Sequence, residues 1–351
     1  MVATKKTVAI LCGGQSSEHE ISCISASGVL ASIDRKKFDP IVIGITKKGN
    51  WVYVEDPTVL EISEGQLPEI SEELPTVTAT IQGLFLSTKP LSVDVIFPLL
   101  HGPYGEDGTI QGFCELAGIR YVGSGVLASA LGMDKSIAKP IFQVHGLSVA
   151  PGVVVHKGEP VPQEISRLQY PLFVKPARSG SSRGTRKVKS EEELPDALSF
   201  AFGFDSKVLI ERAIKGREIE CGILEISGEA TASKIGEIKI RGDHEFYDFE
   251  AKYLDNATYV LFPDDLPDGV EEQIQEAAII AFKALNCEGL ARVDFFYSGD
   301  GDIIINELNT MPGFTQSSMF PKLWERTGRS YTELISTLIA AALMRSESIV
   351  R

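Results

Sequence analysis

The stretch Leu290–Asn309 reads LARVDFFYSGDGDIIINELN, and its pattern predicts two β-strands joined by a turn of Ser, Gly and Asp. Side chains alternate between the two faces of a strand, so Arg292 and Asp294 share one face. Glu307 and Asn309 are related in the same way. Two carboxylates and an amide carbonyl are ligands that a hard cation such as Mg²⁺ prefers. We interpret Asp294, Glu307 and Asn309 as metal ligands; an edge strand with polar residues facing outward is the alternative.

A second pattern is FVKPARSGSSRG at Phe173–Gly184, in which a predicted strand delivers Lys175 and a loop rich in Gly and Ser follows. Such a loop brings backbone N–H groups close to phosphate oxygens, here at Ser181 and Ser182. It differs from a Walker A loop because the lysine precedes the glycines. Lys135, at a predicted helix start, is a second candidate for an anion because the helix dipole adds to its charge. A flexible surface loop and a solvated lysine are the alternatives.

Two acids flank a possible base-binding segment. Glu211 ends the predicted strand VLIE, and Glu218 lies seven residues further on. Such a pair can accept hydrogen bonds from an adenine amino group and from ribose hydroxyls. The intervening backbone at Ala213 and Ile214 can contact the edge of the base. A pair of surface acids at a strand end is the alternative.

The segment Phe246–Tyr253 reads FYDFEAKY and crowds aromatic, acidic and basic residues into a few positions. We interpret it as a mobile lid that carries Lys252 to a phosphate group. A packed loop with incidental charges is the alternative.

Two further motifs directly follow predicted strands: GGQSSEHEIS at Gly13–Ser22 and HGPYGEDG at His101–Gly108. α/β folds place their ligands at the carboxyl ends of parallel strands. Glu18 is a candidate to hold an ammonium group, and His101 is a candidate to hydrogen-bond a carboxylate. His19 is more typical of a helix start. The lack of a GxGxxG pattern argues against a dinucleotide-binding site.

The chain has 351 residues, 43% of them hydrophobic, and a net charge of −14. This length predicts two or three domains. The negative charge argues against nucleic acid or an anionic membrane as a partner, because both would be repelled. Five scattered cysteines without a CxxC pair predict reduced thiols. With no signal-peptide pattern and no apolar run that could span a bilayer, we predict a soluble cytoplasmic protein.

Strands and helices alternate along the first third of the chain, which predicts a doubly wound parallel sheet. The predicted elements there are strands at Thr7–Cys12, Pro40–Ile45 and Val93–Leu100 and helices at Glu20–Ser32 and Thr109–Ala117. The acidic stretch 55–78 is interpreted as an excursion over the surface. We predict an N-terminal domain at 1–132, a central domain at 133–215 and a C-terminal domain at 216–351.

The two later domains are predicted to mix strands with a few helices. Their predicted strands include Tyr170–Lys175, Lys207–Glu211, Arg217–Glu225 and Thr231–Ile240, and their predicted helices include Lys135–Val144, Glu191–Phe200 and Val270–Leu285.

Eight motifs, taken together and in order, closely resemble those of the D-alanine–D-alanine ligases, a family of ATP-grasp enzymes. They are GGQSSEHEIS, HGPYGEDGTIQG, GSGVLASALGMDK, FVKPARSGSSRG, VLIERAIKGRE, FYDFEAKY, ARVDFF and NELNTMPGFTQSS. The resemblance runs from near the N-terminus to about Met319. It implies an α/β ATP-grasp fold, with an N-terminal doubly wound parallel-sheet domain and with central and C-terminal α+β domains that clamp ATP between them.

The resemblance also implies a site for a nucleotide and its metal ions. Its members would be Lys135, Lys175 and Lys252 at the phosphates together with Ser181 and Ser182, Glu211, Ala213 and Ile214 at adenine, Glu218 at the ribose, and Asp294, Glu307 and Asn309 at two Mg²⁺ ions, for which Mn²⁺ can substitute.

A site for two D-alanine molecules is implied as well. Its members would be Glu18 at the ammonium group of the first D-alanine, with Ser181 and Tyr253 organising Glu18, His101 at a carboxylate, Arg292 and the backbone N–H of Gly313 at the oxyanion, and Ser318 and Met319 at the carboxylate of the second D-alanine.

The reaction implied by the resemblance makes D-alanyl-D-alanine through an acyl phosphate, for the synthesis of peptidoglycan precursors, and the implied assembly is a homodimer. One alternative is a D-alanine–D-lactate ligase, which shares almost every motif. Tyr253 in the predicted lid favours dipeptide formation. The other alternative is a catalytically inactive ATP-binding regulator, against which the intact metal-ligand set and Arg292 argue.

Overall fold

The structure, a computed structural model, describes residues 4–63, 65–240 and 258–345. The strands are β1 Lys6–Gly13, β2 Phe38–Ile45, β3 Trp51–Val54, β4 Val77–Thr80, β5 Gly83–Leu86, β6 Lys89–Pro90, β7 Val95–Pro98, β8 Arg120–Tyr121, β9 Ser148–Val149, β10 Gly152–His156, β11 Leu172–Pro176, β12 Arg186–Val188, β13 Lys207–Arg212, β14 Gly216–Ile226, β15 Glu229–Ile240, β16 Thr258–Leu261, β17 Leu290–Ser298 and β18 Ile303–Asn309. The helices are α1 His19–Ser32, α2 Thr109–Ala117, α3 Val126–Met133, α4 Lys135–Val144, α5 Leu194–Ala201, α6 Val270–Ala284, α7 Met319–Arg326 and α8 Tyr331–Met344.

The first sheet confirms the predicted doubly wound architecture. Its order is β3-β2-β1-β7-β8, and all neighbours are parallel except the edge strand β3. Successive residues of β1 face opposite sides. Val8 and Ile10 pack with α1 and α8, whereas Ala9 and Leu11 pack with α2. A central parallel strand covered on both faces must be apolar throughout, which explains the unbroken run in β1.

The stretch 55–78 is held to the core more firmly than a surface excursion would be. Leu60 and Ile70 in it are buried, and β4 begins the small antiparallel sheet β4-β5-β6. Ile70 N–H donates to His19 Nε2 (3.1 Å), so the other ring nitrogen, Nδ1, carries the proton and donates to Gly14 O (2.7 Å). His19 therefore has the structural role that its place at a helix start indicates.

The remaining strands form two sheets, as the prediction of α+β domains requires. The four-stranded sheet β10-β13-β11-β12 is antiparallel, and the six-stranded sheet β16-β15-β14-β17-β18-β9 is antiparallel except at β9. Helices α4 and α6 pack on the six-stranded sheet through residues such as Phe142 and Phe282. The chain thus forms α4 and β9, which belong with the six-stranded sheet, before it forms the four-stranded sheet. The boundaries at 132/133 and 215/216 stay predictions.

Strands β17 and β18 form the predicted hairpin. Arg292 lies opposite Asn309, and Asp294 lies opposite Glu307. The register then shifts between Asp294 and Phe295, which leaves Asn306 as an extra residue. Bulges of this kind redirect side chains next to functional sites.

Helices α7 and α8 return the end of the chain to the first sheet. Leu334, Ile335 and Leu338 of α8 share a core with β1 and α1, and Tyr331 Oη donates to the Phe314 carbonyl (2.6 Å). The N- and C-terminal parts of the chain are therefore packed together, which places the ends of β1 and β7 close to the hairpin. In the described ranges no helix combines the length and the apolar character needed to cross a membrane.

Candidate active site

Two adjoining cavities lie where the three large sheets meet. One, of about 120 Å³, lies between the four- and six-stranded sheets; the other, of about 720 Å³, lies between the first sheet and the hairpin. Their common wall is formed by Lys135, Ser179, Ser181, Glu220, Ile238 and Glu307. We call the smaller one the sheet cavity and the larger one the hairpin cavity.

Lysines from two elements line or support the sheet cavity. Lys175 on β11 lies 2.6 Å from Glu211 Oε2 and donates to Asn306 Oδ1 (3.3 Å). Lys135 at the start of α4 lies 3.0 Å from Glu307 Oε2. Burial opposes the charge of Lys135, but the Glu307 carboxylate outweighs burial and raises the pKa of Lys135. Each of these two predicted phosphate-binding lysines therefore lies in direct contact with one acid, Lys175 with Glu211 and Lys135 with Glu307.

The Gly/Ser loop joins the two cavities. Ser181 and Ser182 have φ angles of 49° and 56°, a left-handed conformation that is uncommon for residues other than glycine and clusters at functional sites. Ser181 Oγ donates to Glu18 Oε1 (2.6 Å). A Cβ atom at Gly102 or Gly180 would lie 3.3 Å from Glu18 Oε2, so the two glycines leave room for this carboxylate. The predicted pair Glu18 and Ser181 is thus brought into direct contact.

Glu18 and His101 lie at the carboxyl ends of β1 and β7, as predicted. Ser22 connects the two ends, since it accepts from Gly13 N–H (2.8 Å) and donates to Leu99 O (2.5 Å). Both Glu18 and His101 are buried and line the hairpin cavity. Burial lowers the pKa of His101, although the Glu18 carboxylate opposes that shift. His101 is therefore a neutral hydrogen-bonding group.

Glu106 is a residue of this cavity that the sequence reasoning did not assign. Its Oε1 accepts from Gly102 N–H (2.7 Å) and lies 3.9 Å from His101 Nδ1. Burial raises the pKa of Glu106 to about 8, and repulsion from Glu18 adds to the shift. Glu106 belongs to the motif HGPYGEDG, but the motif alone does not show that the carboxyl group of Glu106 is shielded from solvent.

The hairpin face brings its charged residues together in cation–anion pairs. Arg292 donates through Nε and Nη2 to the two Asp294 oxygens (2.7 and 2.8 Å), and its Nε lies 2.9 Å from Glu220 Oε2. Asn309 Nδ2 donates to Asp294 Oδ2 (3.1 Å). Glu307, opposite Asp294, is paired with Lys135. This donor set, two adjacent carboxylates and an amide oxygen, fits a hard divalent cation.

Three more positions missed from the sequence are Lys139, Glu220 and Asn306. Lys139 follows Lys135 by four residues, and that spacing puts both on one face of α4. Its Nζ lies 2.5 Å from Glu211 Oε1. Glu220 follows Glu218 by two residues on β14, and residues two apart in a strand lie on the same face. Both spacings were visible signals; the bulge that exposes Asn306 was not.

The predicted acceptor for a second substrate lies at the start of α7. Ser318 precedes the helix, and its Oγ accepts from Thr315 N–H (3.1 Å). Gly313, Ser318 and Met319 all line the hairpin cavity. A Cβ atom at Gly313 would lie 3.2 Å from Ser318 Oγ. The backbone of this segment can therefore come close to a bound group.

The predicted base-binding segment is divided between two environments. Glu211, Ile214 and Glu218 line the sheet cavity, whereas Ala213 N–H donates to Pro171 O (3.0 Å). The predicted lid residues Lys252 and Tyr253 lie outside the described residues.

Family models match most of the chain: the D-ala D-ala ligase N-terminus at residues 7–124 and the D-ala D-ala ligase C-terminus at residues 141–340. The chain belongs to the D-alanine–D-alanine ligase family. A D-alanine–D-alanine ligase from Arthrobacter sp. (strain FB24) is 50% identical, and the match covers 97% of this chain and 95% of that protein.

Solved structures of ligases have the same fold as this D-alanine–D-alanine ligase family member. The VanG D-Ala:D-Ser ligase from Enterococcus faecalis is 37% identical with a TM-score of 0.86, covering 97% of this chain and 100% of that one. A D-alanine–D-alanine ligase from Bacillus anthracis, crystallised with ATP, is 30% identical with a TM-score of 0.73 over 96% and 97%. The predicted ATP-grasp fold and family are confirmed.

The raised pKa of Glu106 predicts a dependence of stability on pH. Between the ordinary pKa of 4.5 and about 8, the folded protein keeps a proton on Glu106 that the unfolded chain releases. The contribution of this group to stability therefore falls as pH rises through that window. Glu106→Gln removes the titration and keeps an acceptor for Gly102 N–H. We expect the unfolding temperature of Glu106→Gln, relative to wild type, to rise from about pH 5 to about pH 8.

Differential scanning calorimetry across this pH range measures the difference. The exposed Glu325→Gln is the control, and its difference from wild type should stay constant. A constant difference for Glu106→Gln as well would contradict the raised pKa.

Proposed function

We propose that the protein joins two D-alanine molecules to D-alanyl-D-alanine and converts ATP to ADP and phosphate. The observation that carries this proposal is the common wall of the two cavities. Lys135 and Glu307 in that wall border both the side with Glu18 and the side with the lysines and Glu211. An amino acid and a nucleotide can therefore meet there, as the chemistry of the family requires.

The first D-alanine would be held through its ammonium group by Glu18. The buried carboxylate carries one hydrogen bond, from Ser181, and a buried charge gains most from a charged partner. His101, neutral because it is buried, would donate to or accept from the substrate carboxyl group. The close approach of Gly102 and Gly180 to Glu18 supports a site shaped for a small substrate.

The nucleotide would occupy the sheet cavity. Lys135 and Lys175 would contact the phosphates, and the left-handed backbone at Ser181 and Ser182 would direct N–H groups at them. Adenine would lie against Glu211 and Ile214, with the ribose at Glu218. The neighbouring lysines keep the pKa of Glu211 below its ordinary value although burial would raise it. Glu211 is then an acceptor for the adenine amino group.

Asp294, Glu307 and Asn309 would hold two Mg²⁺ ions, or Mn²⁺ in their place. Asp294 is already paired with Arg292, and Glu307 is already paired with Lys135. These pairs support a site in which the carboxylates can hold a comparable positive charge as metal ions. When bound, the metal ions would spread the negative charge that develops during phosphoryl transfer.

The proposed chemistry has two steps. A carboxylate oxygen of the first D-alanine attacks the γ-phosphorus, the bond to ADP breaks, and an acyl phosphate forms; Lys135 and Lys175 stabilise the charge. The neutral amine of the second D-alanine then attacks the carbonyl carbon. Arg292 and Gly313 N–H stabilise the oxyanion, and phosphate leaves. Ser318 and Met319 would hold the second carboxylate.

Lys252 and Tyr253 would close over the nucleotide and the first D-alanine. The product would serve peptidoglycan synthesis, and the protein would act as a cytoplasmic homodimer. D-lactate as the second substrate and an inactive regulator are not favoured. Because VanG is named a D-Ala:D-Ser ligase, D-serine belongs in any substrate panel.

Phosphate release from ATP should depend on D-alanine. We expect pure protein with ATP and Mg²⁺ to release phosphate with D-alanine and to form the dipeptide, as measured by mass spectrometry. D-cycloserine, a rigid analogue, should compete with D-alanine because it presents the same ammonium group to Glu18. L-Alanine, D-lactate and D-serine are the comparisons. Equal phosphate release with L-alanine, or without any amino acid, would refute the substrate assignment.

Loss of one carboxylate charge from the hairpin face should abolish turnover. Asp294→Asn and Glu307→Gln change charge with little change of shape, so folding should be preserved by circular dichroism while the initial rate falls by more than about 100-fold. Asp300→Asn, in the exposed turn of the same hairpin, is the matched control and should keep the wild-type rate. Near-normal rates in either hairpin-face variant would rule out the metal assignment.

A further inference from the structure

Glu211 is paired with two lysines, although one cation would neutralise it. Its carboxylate is buried, with a relative exposure of 4%. Lys175 Nζ lies 2.6 Å from Oε2, and Lys139 Nζ lies 2.5 Å from Oε1. Lys139 is itself buried, at 5%. A buried lysine is costly unless it is paired, so its presence beside an already paired acid needs an explanation.

The two lysines occupy different places around Glu211. Lys175 lines the sheet cavity and also contacts Asn306 on the hairpin. Lys139 lies on α4 next to Ala138. Ala138 and Phe142 of this helix pack in the core of the six-stranded sheet. Within the described ranges, the walls of both cavities are formed without Lys139. Lys175 can therefore turn to a ligand, whereas Lys139 lies behind the cavity wall and is paired with Glu211.

The pKa of Lys139 agrees with a Glu211 carboxylate that is shared by two lysines. Burial lowers the pKa of Lys139 to about 8, and Lys175 adds to the lowering while Glu211 opposes it. Once a phosphate group takes over the charge of Lys175, repulsion of Lys139 decreases and the pairing of Lys139 with Glu211 strengthens.

We propose that Lys139 is a positioning residue that keeps Glu211 a fixed, charged acceptor for the adenine amino group after the phosphates have drawn Lys175 away. This inference rests on the proposed function, because it takes ATP as the nucleotide. Without Lys139, binding of ATP would leave the buried carboxylate without a cation in direct contact with it, which opposes binding.

Base selectivity follows from the same arrangement. Adenine presents an amino donor where guanine presents a carbonyl acceptor. A carboxylate held in its charged form accepts from adenine and repels the guanine carbonyl. A Glu211 that gains a proton can donate to that carbonyl, so loss of Lys139 should weaken the preference for ATP over GTP.

The test compares Lys139→Met with wild type in the full-length protein. We expect the KM for ATP to rise about tenfold or more, the scale of losing a charged partner of a buried group. The kcat at saturating ATP should stay within about twofold, since Lys139 touches no reacting atom, and the ratio of kcat/KM for ATP over GTP should fall. Lys139→Arg should restore the preference in part. Lys283→Met, on the exposed side of α6, is the charge-matched control and should match wild type.

A double variant separates an action through Glu211 from a general loss of structure. Since Lys139 acts through Glu211, Lys139→Met should add no further rise in KM in a Glu211→Gln background. If Lys139→Met does not fold, Lys139→Gln, which keeps a donor without the charge, replaces it. Wild-type KM and base preference in the Lys139 variant, or an undiminished effect in the Glu211→Gln background, would overturn the inference. Inactive wild-type protein would instead overturn the proposed function.

Discussion

The pairing of Asp294 with Glu307 across the β17–β18 hairpin is the constraint on which the cleft depends. Like charges directly opposite each other on neighbouring strands are destabilising, so each carboxylate needs a cation. Arg292 lies on the same strand as Asp294, whereas Lys135 reaches Glu307 from α4. Lys135 Nζ also donates to Ser179 O (2.9 Å). Neutralising two adjacent acids thereby ties the hairpin, α4 and the Gly/Ser loop into one site.

Buried carboxylates elsewhere in the cleft are also neutralised. This explains how a chain with a net charge of −14 can hold a polyanion. Glu211 is paired with Lys139 and Lys175, and Glu220 shares Arg292 with Asp294. Glu106 follows a different route, since burial raises its pKa to about 8 and it keeps its proton. The cations are therefore concentrated where phosphates would lie, although the surface as a whole is acidic.

Much of this arrangement could be predicted from the sequence because it rests on local patterns. Helices at Thr109–Ala117 and Lys135–Val144 were predicted with the bounds they have, and the alternation along the hairpin identified its functional face. What failed depends on contacts between distant segments. The burial of Ile70, the enclosure of Glu106 beside His101 and the return of α8 to the first sheet are examples. Lys139 shares a helix face with Lys135, but a lysine on a helix is usually solvated, so its burial could not be predicted.

The central claim is that this cleft activates a carboxylate by phosphorylating it. The most direct measurement supplies D-alanine labelled with ¹⁸O in its carboxylate and examines the released phosphate by mass spectrometry. If an acyl phosphate forms and the amine attacks its carbonyl carbon, one ¹⁸O atom moves from D-alanine to each phosphate. Phosphate without the label would mean that water, rather than the carboxylate, attacked ATP, and would contradict the account.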